Sequence, residues 1–301
     1  MSTDFSINSN FMLHLGSKIA LRREGKLLDE RTFVSFFGRD HVEVLQLWDM
    51  CHFSIQKAKP DHLFWTLMYM KLYLPIDVII TLLDTSKPTF NKWIWIWIEA
   101  IAKLHEEIIL WKNRFRNAPE GLIWCLVTVD GTDFQIGEPF PFDKKWKSPK
   151  QKGASVKYEV AISIYSGDIV WIFGPHRGSK NDRKIFDSCL RNMLAEGEQV
   201  ETDAGYCIGG ASTSPFIRSR DDFSSKAEQR EKSELRARHE TANRRFKSWG
   251  ILKQQFRNEK LKHQFVFYAI ATMTQIQIDN GDVLFSCEPK HLARRLDGHH
   301  I

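Results

Sequence analysis

Three carboxylates stand out by where they fall. Asp130 closes the apolar run 122–130, which reads as a strand, and Gly131 follows it. Asp203 closes a shorter strand signal in "QVETDAGY", with Ala204 and Gly205 after it. A strand end beside Gly lets the backbone bend and leaves a carboxylate facing a cleft. Glu240 sits in "SELRARHETANRRFKSWGIL", a helix whose apolar stripe is Leu235, Ala242, Phe246 and Trp249. At about 100° per residue, Glu240 falls almost opposite that stripe. Three acids brought together repel one another, and burying them uncompensated is costly. Hard oxygen donors with no Cys or His cluster nearby suit Mg²⁺ or Mn²⁺. Two such ions roughly 4 Å apart activate a water or a 3′-hydroxyl and stabilise the leaving oxygen of a phosphodiester. Position alone leaves a second role open. Acids at strand ends also form turns and cap helices, and Glu240 with Arg244 makes an i,i+4 pair on a solvated face.

The elements that must hold these residues follow from periodicity and punctuation. Asp29 to Lys57 reads as amphipathic helix, with Phe33, Phe36, Val42, Leu45 and Trp48 as core contacts. Residues 1 to about 27 are weakly patterned. "PDHLFWTLMYMKLYL" opens with Pro60 and Asp61, a good helix start. Pro75 ends it and opens "PIDVIITLLD", and "TSKP" turns the chain into "PTFNKWIWIWIEAIAKL". The "WIWIWI" run admits a strand, but Pro88 at its start and Glu99 to Lys103 at i,i+4 favour a helix. Helices over 60–104 are compatible with a helix-turn-helix unit, and equally with an ordinary bundle. The character changes after the turn-rich "NAPEG". Strands are expected over 122–130, 156–166 and 168–175, with Gly167 and Asp168 as a hairpin turn. A helix over "NDRKIFDSCLRNMLAEGE", the strand before Asp203, a Gly/Ser-rich loop over 209–225, the basic helix and a closing apolar helix complete the chain. The class is therefore mixed α/β, with a helical region over 1–117 and the sheet domain over 118–301.

Bulk composition narrows the partners. The chain has 301 residues, a net charge of +6 and 43% hydrophobic residues, enough for a sizeable core. A basic balance favours polyanions, nucleic acid first. Five cysteines, far apart and without a CxxC pair, argue for a reducing compartment and against a disulfide framework or structural zinc. The start lacks the basic n-region of a secretory signal, and no apolar stretch is long enough to span a bilayer.

Several blocks occur together in one order: "VDGTDFQI", "KYEVAISIYSGDIVWI", "GPHRGSKND", "TDAGY" and "RARHETANRRFKSWGIL". The set resembles the DDE-superfamily nuclease domain, and within it PIF/Harbinger-type transposases and their domesticated relatives. The resemblance implies a ribonuclease H-like fold. It implies Asp130 on the central first strand, Asp203 after the fourth and Glu240 on a late helix, together holding two divalent ions. It further implies DNA as substrate and a nuclear location, and it admits a separate DNA-binding partner protein and a homodimer. Two departures are visible. Asn181 stands where the family's GSxHD-like block has His, and His239 precedes the third acid where an apolar residue is usual.

Other candidates were weighed by position. Asp133 follows Asp130 by three and points to the opposite side of an extended strand. Glu228, Glu231 and Glu234 rival Glu240 but lie in a strongly charged, solvated stretch. Arg177, Arg244, Arg245, Lys247 and Lys253 are candidate phosphate contacts, with His176 beside Arg177. The expected activity is a metal-dependent DNA endonuclease or transposase. The alternatives are a catalytically silent DNA-binding protein of the same fold and a two-carboxylate glycosidase. The last needs no Mg²⁺, and a basic helix suits a neutral sugar poorly.

Overall fold

The computed structural model describes residues 7–121, 124–148, 150–206, 216–218, 226–285 and 287. Ile123, Cys207 and most of the expected 209–225 loop lie outside these residues. Two compact units are present: Met1–Leu104 with Lys247–Gln254 and Phe265–Ile270, and His105–Phe246 with Gln255–Gln264 and Ala271–Ile301.

The first unit is helical. Its long elements are α1 (Ser9–Leu21), α2 (Glu30–Phe37), α3 (His41–Cys51), α4 (Pro60–Leu72), α5 (Ile76–Leu83) and α6 (Lys87–Lys103). Helix α1 was hidden in the weak N-terminal pattern. Its one strong signal is Asn8, whose side chain accepts from Phe11 N at 2.9 Å. The single helix expected over Asp29 to Lys57 is two. Gly38, at φ 75°, caps α2, and its N–H bonds Val34 O at 2.7 Å. A Cβ there would come within 2.6 Å of the Trp249 ring. Asp40 then starts α3 through a reciprocal capping box with Glu43. The break rotates α3, so Val42 is exposed rather than buried, while Phe33 and Trp48 do enter the core. The "WIWIWI" run is helical. Ile94, Trp97, Ile98 and Ile101 are buried at helical spacing, and Ser86 caps the start.

The second unit holds the sheet. After α7 (His105–Ile108) come β1 (Cys125–Gln135), β2 (Ser155–Ser163), β3 (Ile169–Arg177), α8 (Asp182–Ser188), β4 (Gln199–Thr202) and the two-residue β5 (Ile217–Arg218). The order is β3-β2-β1-β4-β5. β1–β2 and β2–β3 are antiparallel, whereas β1–β4 and β4–β5 are parallel. Helix α9 (Lys226–Lys247) follows, and the chain continues through α10 (Gly250–Lys253) and α11 (His263–Asp279). Val127, Val129 and Ala161 share a core with Phe186, Leu190 and Tyr206.

Strand β1 corrects the reading of Asp130 as a strand end. It runs five residues further, paired with β2 as far as Gln135↔Ser155. Only its other edge ends early: pairing with β4 stops at Val129↔Thr202. The sheet therefore splits at Asp130, inside a strand that one neighbour has left. Gly131 makes no bend. A Cβ at that position would lie 2.6 Å from Asp182 Oδ1, so the glycine admits a close neighbour instead.

Candidate active site

Asp130 and Asp203 are brought together by register. Thr128 pairs with Glu201 and Val129 with Thr202. One step past the last pair, Asp130 continues β1 and Asp203 stands at the exit of β4, where the two chains part. Side chains alternate along a strand, so Thr128 and Asp130 share one face of β1 and Glu201 and Asp203 the same face of β4. Each aspartate is oriented by the backbone just after it. Gly131 N donates to Asp130 Oδ1 at 2.8 Å, and Gly205 N donates to Asp203 Oδ1 at 2.9 Å. Both acids line a cleft of about 260 Å³, together with Glu201, Lys232, Arg236 and His239.

Helix α9 roofs this cleft and is pinned by buried polar contacts. Lys232 Nζ lies 2.6 Å from Glu201 Oε1, with side chains 10% and 4% exposed. Arg238 Nη1 donates to Ser163 O at 3.0 Å and Ile164 O at 2.6 Å, at the end of β2. His239 Nε2 lies 2.6 Å from Thr128 Oγ1. Thr128 gives its single hydroxyl proton to Ile162 O at 3.3 Å, so the imidazole Nε2–H donates to Thr128. Burial pushes the His239 pKa down against the pull of Asp130, which keeps the ring neutral. Arg236 stands at the mouth of the cleft, its Nη2 4.0 Å from Asp203 Oδ2.

Glu240 follows His239 on α9 and is exposed; it is not among the residues that line the cleft. Among the described residues, no group of three or more His, Cys, Asp or Glu side chains is close enough to hold a metal ion. The structure therefore brings together two of the three acids singled out in the sequence. Two still make a fitting donor set, because Mg²⁺ is commonly held by one or two carboxylates, with waters and substrate phosphates completing its shell. The Tyr206 hydroxyl is pushed well up, first by burial and then by Glu159, Asp130, Asp182 and Asp203.

The rival acids sort clearly. Asp133 lies on the opposite face, buried, with Ser148 Oγ donating to it at 2.5 Å and the Lys157 ammonium 3.9 Å away as an ion-pair partner. Burial raises its pKa. Glu231 is buried rather than solvated, and Glu234 lies 3.8 Å from Arg230. The Glu228 side chain lies outside the described residues. Of the candidate phosphate contacts, Arg244 is exposed and Arg177 is about half exposed beside Asp143. Arg245 is engaged with Asp282 and Val283 O. Lys247 and Lys253 are exposed and belong to the first unit. Lys232, Arg236 and Glu201 were not singled out in the sequence. Their signal was faint: a Lys and a His seven apart on the same helix, with an imidazole where an apolar residue was expected.

Residues 129–275 match the family of DDE superfamily endonucleases. The matched segment opens one residue before Asp130 and contains Asp203 and Glu240. Over this segment the match supports the DDE superfamily. The mixed sheet with its flanking helices fits the ribonuclease H-like fold of DDE nucleases. A search of curated proteins gave no match. No helix among the described residues is long and apolar enough to cross a membrane.

Proposed function

We propose that this chain is a metal-dependent DNA endonuclease of the PIF/Harbinger type, with Asp130, Asp203 and Glu240 as its three carboxylates and Mg²⁺ or Mn²⁺ as cofactor. The observation that carries the reading is the pairing of Asp130 and Asp203 where the sheet splits, inside a segment that matches DDE endonucleases. When bound, divalent ions would make a water or 3′-hydroxyl nucleophilic and stabilise the departing oxygen. The chain's own residues supply position. The backbone N–H groups of Gly131 and Gly205 each hold one carboxylate oxygen. The Glu201–Lys232 pair and the Thr128–His239 bond fix α9 over the cleft. Arg236 draws phosphate to the cleft mouth. The helices over 60–104 would engage DNA or a partner protein.

The test is nicking of supercoiled plasmid by the full chain in Mg²⁺, in Mn²⁺ and in EDTA. Cleavage should require the metal, and Asp130→Ala or Asp203→Ala should abolish it while DNA binding persists. A second reading, a catalytically silent DNA-binding protein, is favoured by the position of Glu240 outside the cleft lining. DNA binding without metal-dependent cleavage by the unaltered chain would select it.

A further inference from the structure

The loop between β1 and β2 carries a feature that the cleft does not use. Phe140 is fully exposed at 101% and Phe142 is 57% exposed. Two bare phenyl rings two residues apart give this polar loop an exposed apolar pair. The residues that follow, "DKKWK", are basic and fold back against the turn after β3. Ser179 Oγ donates to Lys145 O at 2.7 Å, and Arg177 Nη1 lies 3.8 Å from Asp143 Oδ2. Trp146 lies against two cations, Arg177 at 5.6 Å and Lys260 at 4.7 Å from its ring.

An open concavity of about 450 Å³ lies at this junction. Lys145, Arg177, Lys180 and Lys184 line it, and none of its lining residues is an acid. His176, also in the lining, adds no charge: burial and the neighbouring lysines push its pKa down to about 4. Its lining includes Asn181, and the next residue, Asp182, packs against Gly131 on the face of β1 opposite Asp130.

We infer that this surface is a second DNA contact, outside the cleft, in which the lysine-lined concavity holds backbone phosphates and Phe140 and Phe142 stack on bases of a single-stranded flank. The inference rests on the proposed action on DNA and adds a contact beyond the cleft. A concavity lined by three lysines and Arg177, with Asp143 beside Arg177 at its edge, favours a polyanion. Exposed aromatics beside them select its bases, because every base offers a face to stack on whatever the sequence. A protein partner covering the phenyl rings would leave the concavity's charge without a role.

The test measures binding in EDTA, so that cleavage plays no part. The probes are a fluorescent blunt duplex and the same duplex with a single-stranded flank carrying 2-aminopurine. Lys145→Gln/Lys180→Gln/Lys184→Gln should weaken binding to both probes and flatten the log-affinity against log-salt slope by about 2 to 3. Phe140→Ala/Phe142→Ala should leave the slope unchanged, weaken flanked-duplex binding about tenfold and abolish the 2-aminopurine change. Wild-type binding by both variants would overturn the inference. So would a phenylalanine variant that alters self-association while binding DNA normally. Slopes and fluorescence that change as expected in a chain that never cleaves would sink the endonuclease reading alone. Cleavage by a chain whose variants bind like wild type would sink this one alone.

Discussion

Replacing Lys232 by Met removes the ammonium that faces Glu201 across 2.6 Å and leaves that carboxylate buried without its ion-pair partner. The two side chains are 10% and 4% exposed, so water can replace little of what is lost. Breaking a buried pair from one side costs about 3–5 kcal/mol. For a unit of this size each kcal/mol moves Tm by about 2–4 °C, so Lys232→Met should lower the transition of the sheet unit by about 6–20 °C. The double variant Glu201→Met/Lys232→Met removes both charges and keeps side chains that fill the space. It should recover most of the loss, since an apolar replacement for a buried pair is often neutral or stabilising. Differential scanning calorimetry of the wild type, the two single variants and the double variant gives the coupling directly. A single variant that melts within 2 °C of wild type, or a double variant no better than the singles, would refute the claim that this pair anchors α9 over Asp130 and Asp203.

Two further outcomes follow from the same structure. Glu159 is buried, with Trp171 Nε1 donating to it at 3.3 Å, and desolvation lifts its pKa to about 8. Its folded pKa is raised, so its contribution to stability is full below about pH 4.5 and is lost as pH rises through about 8. Glu159→Gln should therefore melt above wild type at pH 8 and lose the gap toward pH 5; identical profiles would show that the group does not titrate there. Gly38→Ala puts a Cβ at φ 75° and within 2.6 Å of Trp249, and should cost about 2 kcal/mol or more in chemical denaturation.

Much of the local order was legible from residue patterns. The "WIWIWI" segment became a helix because Ile94, Trp97, Ile98 and Ile101 recur at its period, whatever the alternation of types suggested. The apolar stripe of Leu235, Ala242 and Phe246 was likewise readable and is buried. What misled were signals whose meaning depends on a distant neighbour. Gly38 looked like an ordinary position inside a helix, and Gly131 looked like a bend. The first terminates α2, and the second makes room for Asp182.

Sequence by itself determined the α/β class, the alternation of elements, Asp203 at a strand exit and Glu240 on a helix, while it read Asp130 as the end of a strand that in fact continues to Gln135. These depend on periodicity, caps and turn residues, which act over a few positions. Tertiary structure alone decided that β4 leaves β1 at Asp130 and so sets Asp203 beside it. It also decided that Lys232 meets Glu201 and His239 meets Thr128. Those pairings follow from strand register and the rotation of α9. One residue of slip in either would turn the same side chains to another face, and no local pattern records it.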